Sequence, residues 1–320
     1  MIMTRSVQRS LLILAAILIS AGMLQAAETV DLSSSDERHI GGHGFMPSRY
    51  INDPFIGTYY ESFVGGATAP TFERDFRDAD GTVLFTLKGS LVYASLGMAF
   101  QQQIGQKWAF GLGGSALIRS GTNAVSFIED GANVNTNGGV WAKRLISRSE
   151  KSQLTAGLNW GYVSTTLFTP REFADHIRDG GALVDAPLVQ NRKNWNAGVD
   201  LMWAHAFNPT YAIRLSGTLG VSEKQNNSSV VIGANNVGFL AEVDFKDKHG
   251  LPLGISLGHF IAFPENHVES GPSGTVLGFW YTGKQDFAIG LETGWISISV
   301  SDDSEEANGA FGILNVKYYF

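Results

Sequence analysis

The order of apolar and polar positions is the most informative property of this sequence. Read back from Phe320, every second residue is Phe320, Tyr318, Val316, Leu314, Gly312 and Ala310, while the alternate set (Tyr319, Lys317, Asn315, Ile313, Phe311) is mixed and includes a charge. A period of two over about ten residues is the signature of a strand. The pattern recurs upstream. Phe287, Ile289, Leu291, Thr293 and Trp295 oppose Ala288, Gly290, Glu292 and Gly294; Val237 through Phe245 oppose Gly238, Leu240, Glu242, Asp244 and Lys246. Tyr211 through Val221 oppose Ala212, Arg214, Ser216, Thr218 and Gly220, and Trp195 through Trp203 oppose Asn194, Asn196, Gly198 and Asp200. In each segment one face is mostly apolar, usually with an aromatic near an end; the other is small or polar.

Twelve such segments are predicted, near residues 55–66, 86–103, 107–119, 137–147, 153–168, 193–206, 210–222, 237–247, 252–263, 274–283, 286–300 and 309–320. The connections between them alternate. Short turns fall at 104–107, 148–153, 207–210, 247–252 and 283–286, and longer polar loops at 67–81, 120–136, 170–191, 223–236, 264–274 and 301–309. Strands with one apolar and one polar face, joined alternately by tight turns and long loops, predict an all-β, closed antiparallel transmembrane barrel of about twelve strands. An even count places both chain ends on one side. Closure removes the unpaired edge that an open sheet would expose to lipid.

Three places depart from the pattern. Val83, Phe85 and Leu87 follow one register and Val92, Ala94, Leu96 and Met98 the other, which predicts a bulge near Gly89 and Ser90. Val140 and Trp141 fall on opposite faces of one segment. His259 shares the apolar register of Leu253, Ile255, Leu257 and Ile261, so it lies at the outer interface or is turned inward by a bulge at Gly258.

Composition agrees with this reading. There are 38 glycines in 320 residues, above the roughly 7% that is usual, and charged residues are 17%, below the roughly 25% of soluble domains. With no cysteine there is neither a disulfide framework nor a thiolate metal site. A net charge of −7 is not that of a nucleic-acid binder.

Residues 1–27 have the plan of a secretory signal peptide: Arg5 and Arg9, an apolar run from Leu11 to Leu24, then Ala26 and Ala27. Their removal shifts the formal charge from −7 to −9. Residues 28–53 are expected to form a periplasmic N-terminal arm, with entry into the lumen left open, and 54–320 to form the barrel.

At this point the chain resembles the Gram-negative outer-membrane β-barrel proteins as a class. The resemblance rests on the signal peptide, the twelve-strand rhythm and the ending Leu314-x-Val316-x-Tyr318-x-Phe320. It implies location in the outer membrane, contact with lipid and lipopolysaccharide, and recognition of the C-terminal strand, through Leu314, Val316, Tyr318 and Phe320, by the barrel-assembly machinery. Several twelve-stranded families exist, including small-solute channels, lipid-modifying enzymes and autotransporter barrels, and no subfamily is singled out.

Candidate chemistry is sparse. Barrel phospholipases and lipid A deacylases carry a His-x-Ser pair, because residues i and i+2 of a strand share a face. None of the seven histidines has a serine two residues on. Asp175-His176 and Asp302-Asp303 are adjacent pairs, whereas the omptin proteases need their Asp–Asp and Asp–His pairs facing one another. His39 and His43 lack the further ligands of a metal shell. No catalytic residue, metal ligand or cofactor is therefore assigned. Pro170 is placed to open a short helix in the 170–191 loop. Asp200, Arg214, Glu242, Asp244, Lys246, Glu292 and Lys317 all fall on inward faces, where they avoid the cost of meeting lipid. They are expected to line a pore and set its selectivity. The leading expectation is a channel for small solutes. The alternatives are a lipid- or lipopolysaccharide-modifying enzyme using His259, and a plugged structural or adhesive barrel.

Overall fold

The computed structural model describes residues 38–77, 80, 82–122, 127, 131–180, 182, 188–224, 227–264, 272–299 and 306–320. The predicted signal peptide and the Asp302-Asp303 pair lie outside these residues. A two-strand hairpin, β1 (His39–Ile40) and β2 (His43–Gly44), comes first. Gly41 and Gly42 turn it with φ of 58° and 82°, values that a side chain would oppose.

Twelve antiparallel strands then close into a barrel. In chain order they are β3 (Tyr59–Arg77), β4 (Val83–Ile104), β5 (Trp108–Gly121), β6 (Ala132–Arg148), β7 (Ser152–Phe168), β8 (Val189–Ala206), β9 (Tyr211–Lys224), β10 (Asn227–Asp244), β11 (Leu253–Pro264), β12 (Ser273–Tyr281), β13 (Phe287–Ser299) and β14 (Glu306–Tyr319). Each strand pairs with its sequence neighbours, and β3 pairs with β14 from Tyr59↔Tyr319 to Thr68↔Ala310 to close the seam. Short helices in the connections include α1 (Pro170–Arg178), opening on the expected proline, and α2 (Lys246–His249). Among the described residues no helix is long and apolar enough to cross a membrane. The crossing is made by strands.

The outward face is that of a barrel in lipid. Leu96, Met98, Leu112, Leu158, Val199, Leu257 and Leu291 are all exposed, and Trp295 is 67% exposed. Water would not tolerate so continuous an apolar surface on a soluble molecule. Trp108, Phe110, Phe207, Tyr211, Phe279 and Tyr318 gather towards the tight-turn end, as an aromatic girdle does.

Several strands extend beyond their predicted limits, by more than one residue only on the long-loop side. Residues 67–77 belong to β3, and the expected loop at 223–236 is largely paired strand, with Gly233↔Val221 and Asn236↔Thr218 in register. Past the membrane both faces of a hairpin meet water, so hydrophobic alternation no longer marks the strand. The expected irregularity near Gly89 and Ser90 is present, but the extra residue is on the partner. The register steps from Ala69↔Leu91 to Phe72↔Gly89, which places the bulge at Pro70-Thr71. Proline cannot donate to the ladder, and a bulge accommodates it. His259 pairs in unbroken register with Phe239 and Thr275, faces outward, and shares a hydrogen bond of 3.1 Å with the Thr275 hydroxyl. Val140 is on the outer face and Trp141 points in.

Candidate functional site

Residues 38–57 run inside the barrel. They enter at the tight-turn end, where the Arg38 guanidinium donates to the carbonyls of Lys284 (2.8 Å) and Gln285 (3.2 Å). They climb to an apex at Arg49 and Tyr50, then return to Thr58, whose carbonyl accepts from the Phe320 backbone N–H. Pro47 and Pro54 interrupt any ladder this segment might otherwise join.

The segment carries its own apolar core. Ile40, Phe45, Met46, Ile51, Phe55 and Ile56 are all buried. Phe45 and Phe55 pack with Ala204, Ala206 and Ala212 of the wall, and Ile56 packs with Ala109 and Leu145. Small inward residues leave the room that these rings fill. The glycines at Gly238 and Gly258 act likewise: a Cβ there would stand 2.9 Å and 2.6 Å from Ile51 side-chain atoms. At the apex, Tyr50 stacks on Phe260 (ring centroids 5.0 Å apart) and tilts against Phe311 (4.9 Å).

Polar ties fix the segment at three levels. Glu242 accepts from the Arg214 Nε at 2.5 Å and from the Met46 backbone N–H at 2.8 Å, while Arg214 also donates to the Met46 carbonyl. His43 Nε2 lies 3.6 Å from the same carboxylate, and its Nδ1 is 3.0 Å from the Pro209 carbonyl. Glu292 accepts from the Ser48 hydroxyl at 2.9 Å and from the Arg49 backbone N–H at 3.1 Å. Asp53 bridges Lys143 (3.0 Å) and Lys317 (3.1 Å). Burial would push the Asp53 carboxyl up, but Lys143 and Lys317 outweigh it and hold the group well below the usual carboxylate range. Gln101 and Gln153 complete the clamp by donating to the carbonyls of Phe55, Gly57 and Pro54.

The seven charges expected to line the lumen have these places. Arg214, Glu242, Glu292 and Lys317 are buried against the inner segment. Asp200 is buried on the wall, accepting from Thr218 (2.6 Å) and Asn159 (2.7 Å). Asp244 accepts from the Thr282 hydroxyl (2.9 Å) and the Lys246 backbone N–H (3.0 Å). Lys246 is not on an inward strand face. β10 ends at Asp244, and Lys246 opens α2 in the turn. At the C-terminus Leu314, Tyr318 and Phe320 are exposed on the outer face, with Val316 half-buried between them.

Sequence reasoning did not find Asp53, Arg49, Lys143, Gln101 or Gln153. One signal was available. Phe45, Met46, Ile51, Phe55 and Ile56 are too apolar for an arm free in water. A cross-strand pair was also beyond reach of an i, i+2 search: Ser152 Oγ and His205 Nδ1 are 2.6 Å apart although far apart in sequence. That imidazole is flanked by Trp203 and Phe207 near the tight-turn rim.

Between the inner segment and the β3–β8 wall two adjoining cavities remain, about 290 Å³ and about 360 Å³. They share Arg49, Phe63, Ala99, Trp141 and Asn159. None of the residues of α1 lines either one. The Arg49 guanidinium lies over the Phe63 ring, 3.2 Å from its centroid. Burial works against its charge, and Glu61 partly restores it.

No protein-family model matches the sequence, and no curated protein matches it. Solved structures give distant likenesses. A KdgM porin is 8% identical over 81% of this chain and 99% of its own, with a TM-score of 0.42. A Pseudomonas aeruginosa FadL homologue is 11% identical over 92% and 99%, with a TM-score of 0.45. The translocator domain of the autotransporter NalP from Neisseria meningitidis is 10% identical over 82% and 88%, with a TM-score of 0.47. It is the chain's own geometry, an even-numbered closed sheet with an apolar exterior and a polar interior, that gives it the architecture of an outer-membrane β-barrel.

Proposed function

We propose that this protein is an outer-membrane transport barrel for small solutes, closed at its periplasmic end by its own N-terminal segment and opened when that segment shifts. The carrying observation is the way the lumen is filled. A twelve-strand barrel is wider than the eight-strand size that side chains alone fill. Here residues 38–57 occupy the space, yet cavities of about 290 and 360 Å³ remain beside them. The barrel pairs β3 with β4 and β14, so its closure does not need the inner segment. Ion pairs and side-chain hydrogen bonds hold that segment, and such ties break and re-form without disturbing the ladder. The inward charges then serve the closed state first, since each is ion-paired or hydrogen-bonded within the segment or the wall.

Planar-bilayer recording of refolded protein tests this. The full-length mature chain should give little conductance, and a variant lacking residues 38–57 should give steady channels in an ohmic range. Absence of channels from the deletion variant, with folding verified by its heat-dependent gel mobility, would leave a closed structural barrel. The lipid-modifying alternative gains little from His259. It lies between Leu257 and Ile261 on the lipid face, and no carboxylate is paired with it among the described residues.

A further inference from the structure

The cations described in the lumen differ in how closely a carboxylate answers them. Lys143 and Lys317 share Asp53, Arg214 is paired with Glu242, and Arg38 is engaged by carbonyls. Arg49 has no carboxylate within ion-pair distance among the described residues; its guanidinium rests on the Phe63 ring. It is at the apex of the inner segment and borders both cavities. The carboxylates that line the first cavity are already occupied. Asp53 holds two lysines, Glu61 accepts from Asn315 (2.8 Å) and faces Lys317 (3.5 Å), and Asp200 accepts from Thr218 and Asn159. Apart from Lys143, which is paired with Asp53, the remaining polar lining is neutral, including Asn52, Asn137 and Asn196.

We propose that Arg49 is the recognition group of a binding site for small organic anions bearing a carboxylate, formed between the apex of the inner segment and the β3–β8 wall. A guanidinium presents a planar fork of donors that matches a carboxylate. Arg49 is exposed to the cavity water but stands inside the barrel wall, where a bound anion is screened less than it would be in bulk water. The cavity volumes match the lower range of small-molecule sites. The position of the site couples occupancy to the segment. The backbone N–H of Arg49 is held by Glu292, so an anion on its side chain bears on the tie that fixes the apex. The proposal rests on the reading of the lumen as a solute passage, and names the charge class of the solute.

Calorimetric titration of the detergent-refolded mature chain tests it, with three four-carbon probes of matched skeleton: succinate, succinamide and 1,4-diaminobutane. Succinate should bind at least tenfold more tightly than succinamide, and the diamine should not bind. Arg49→Gln should weaken succinate at least tenfold, and Arg49→Lys should retain a measurable part of the affinity. Because Arg49→Gln also removes the contact with Phe63, the heat-dependent gel mobility of both Arg49 variants should match that of the parent chain, so that partial rescue by Arg49→Lys reads the charge and not the fold. Equal affinity for succinate and succinamide, unchanged binding in Arg49→Gln, or no binding of succinate at millimolar concentration would each overturn the site. Succinate binding together with a silent deletion variant would remove the transport reading and keep the site. Channels without succinate binding would do the reverse.

Discussion

Glu242 joins the barrel wall to the inner segment at a single carboxylate. It meets Arg214, the Met46 amide and His43 at once, and its side chain is fully buried. Removing one partner of a buried pair leaves the other charged and dry, at a typical cost of 3–5 kcal/mol. Glu242→Gln should therefore loosen the inner segment while the barrel wall persists, and limited trypsin digestion should cut after Arg49 in the variant and not in the parent chain. The double variant Glu242→Leu with Arg214→Met should be less susceptible than either single one, because no unpaired charge remains. Asp53 gives a pH prediction. Its carboxyl is held below its ordinary value of about 3.9, so its contribution is present above that value and is lost only as pH falls through the lower folded one. Amide-exchange protection of residues 52–58, corrected for intrinsic rate, should be unchanged between about pH 7 and pH 4.5, and Asp53→Asn should lower it at both. The inward direction of Asp200, Arg214, Glu242, Glu292 and Lys317 was legible in the sequence because a period of two assigns faces. The partners that Arg214, Glu242, Glu292 and Lys317 find in the inner segment were not, since Met46, Ser48 and Asp53 belong to a segment with no period at all.

At the scale of elements, the membrane-spanning part of each strand was legible and its outer extension was not. The tight-turn ends agree with the alternation to within a few residues, as at Trp108, Ser152, Tyr211 and Phe287. On the opposite side β3, β6, β8 and β10 continue into water, where a hairpin is set by pairing and no longer by burial on one face. Glycine placement follows the inner segment as well as the turns. Gly238 is 2.9 Å, at its virtual Cβ, from Ile51, whereas Gly138 has no neighbour nearer than 3.9 Å. Gly238→Val should displace Ile51 at a cost of about 1–3 kcal/mol, the usual range for overpacking. Gly138→Ala should be close to neutral. Denaturant-dependent exchange in residues 45–58 distinguishes the two, since only the first should weaken protection there.

For the whole molecule, the composition and the fold have one explanation. Charge is scarce because the outer wall meets lipid, and glycine is abundant partly because the inner wall must admit a second layer of chain. The twelve-strand count and closure were legible from the alternation of faces and of loop lengths. What fills the centre was not, because a wide barrel leaves water, loop or arm equally compatible with its wall pattern.

The place where the inner segment joins the barrel has a kinetic consequence. It leads directly into β3, and β3 meets β14 at the seam, Tyr59 beside Tyr319. All other strand contacts are between sequence neighbours and nucleate locally, whereas the seam brings opposite ends of the barrel together. Its loop-closure entropy exceeds that of a tight turn by about 4 kcal/mol, which makes it the slowest and last contact to form. The segment hangs from the edge that closes last, so it can enter through the open side of the curling sheet and be enclosed as the seam zips. The order of assembly thus places the inner segment inside a wall that is still being built, with no need to thread a finished barrel.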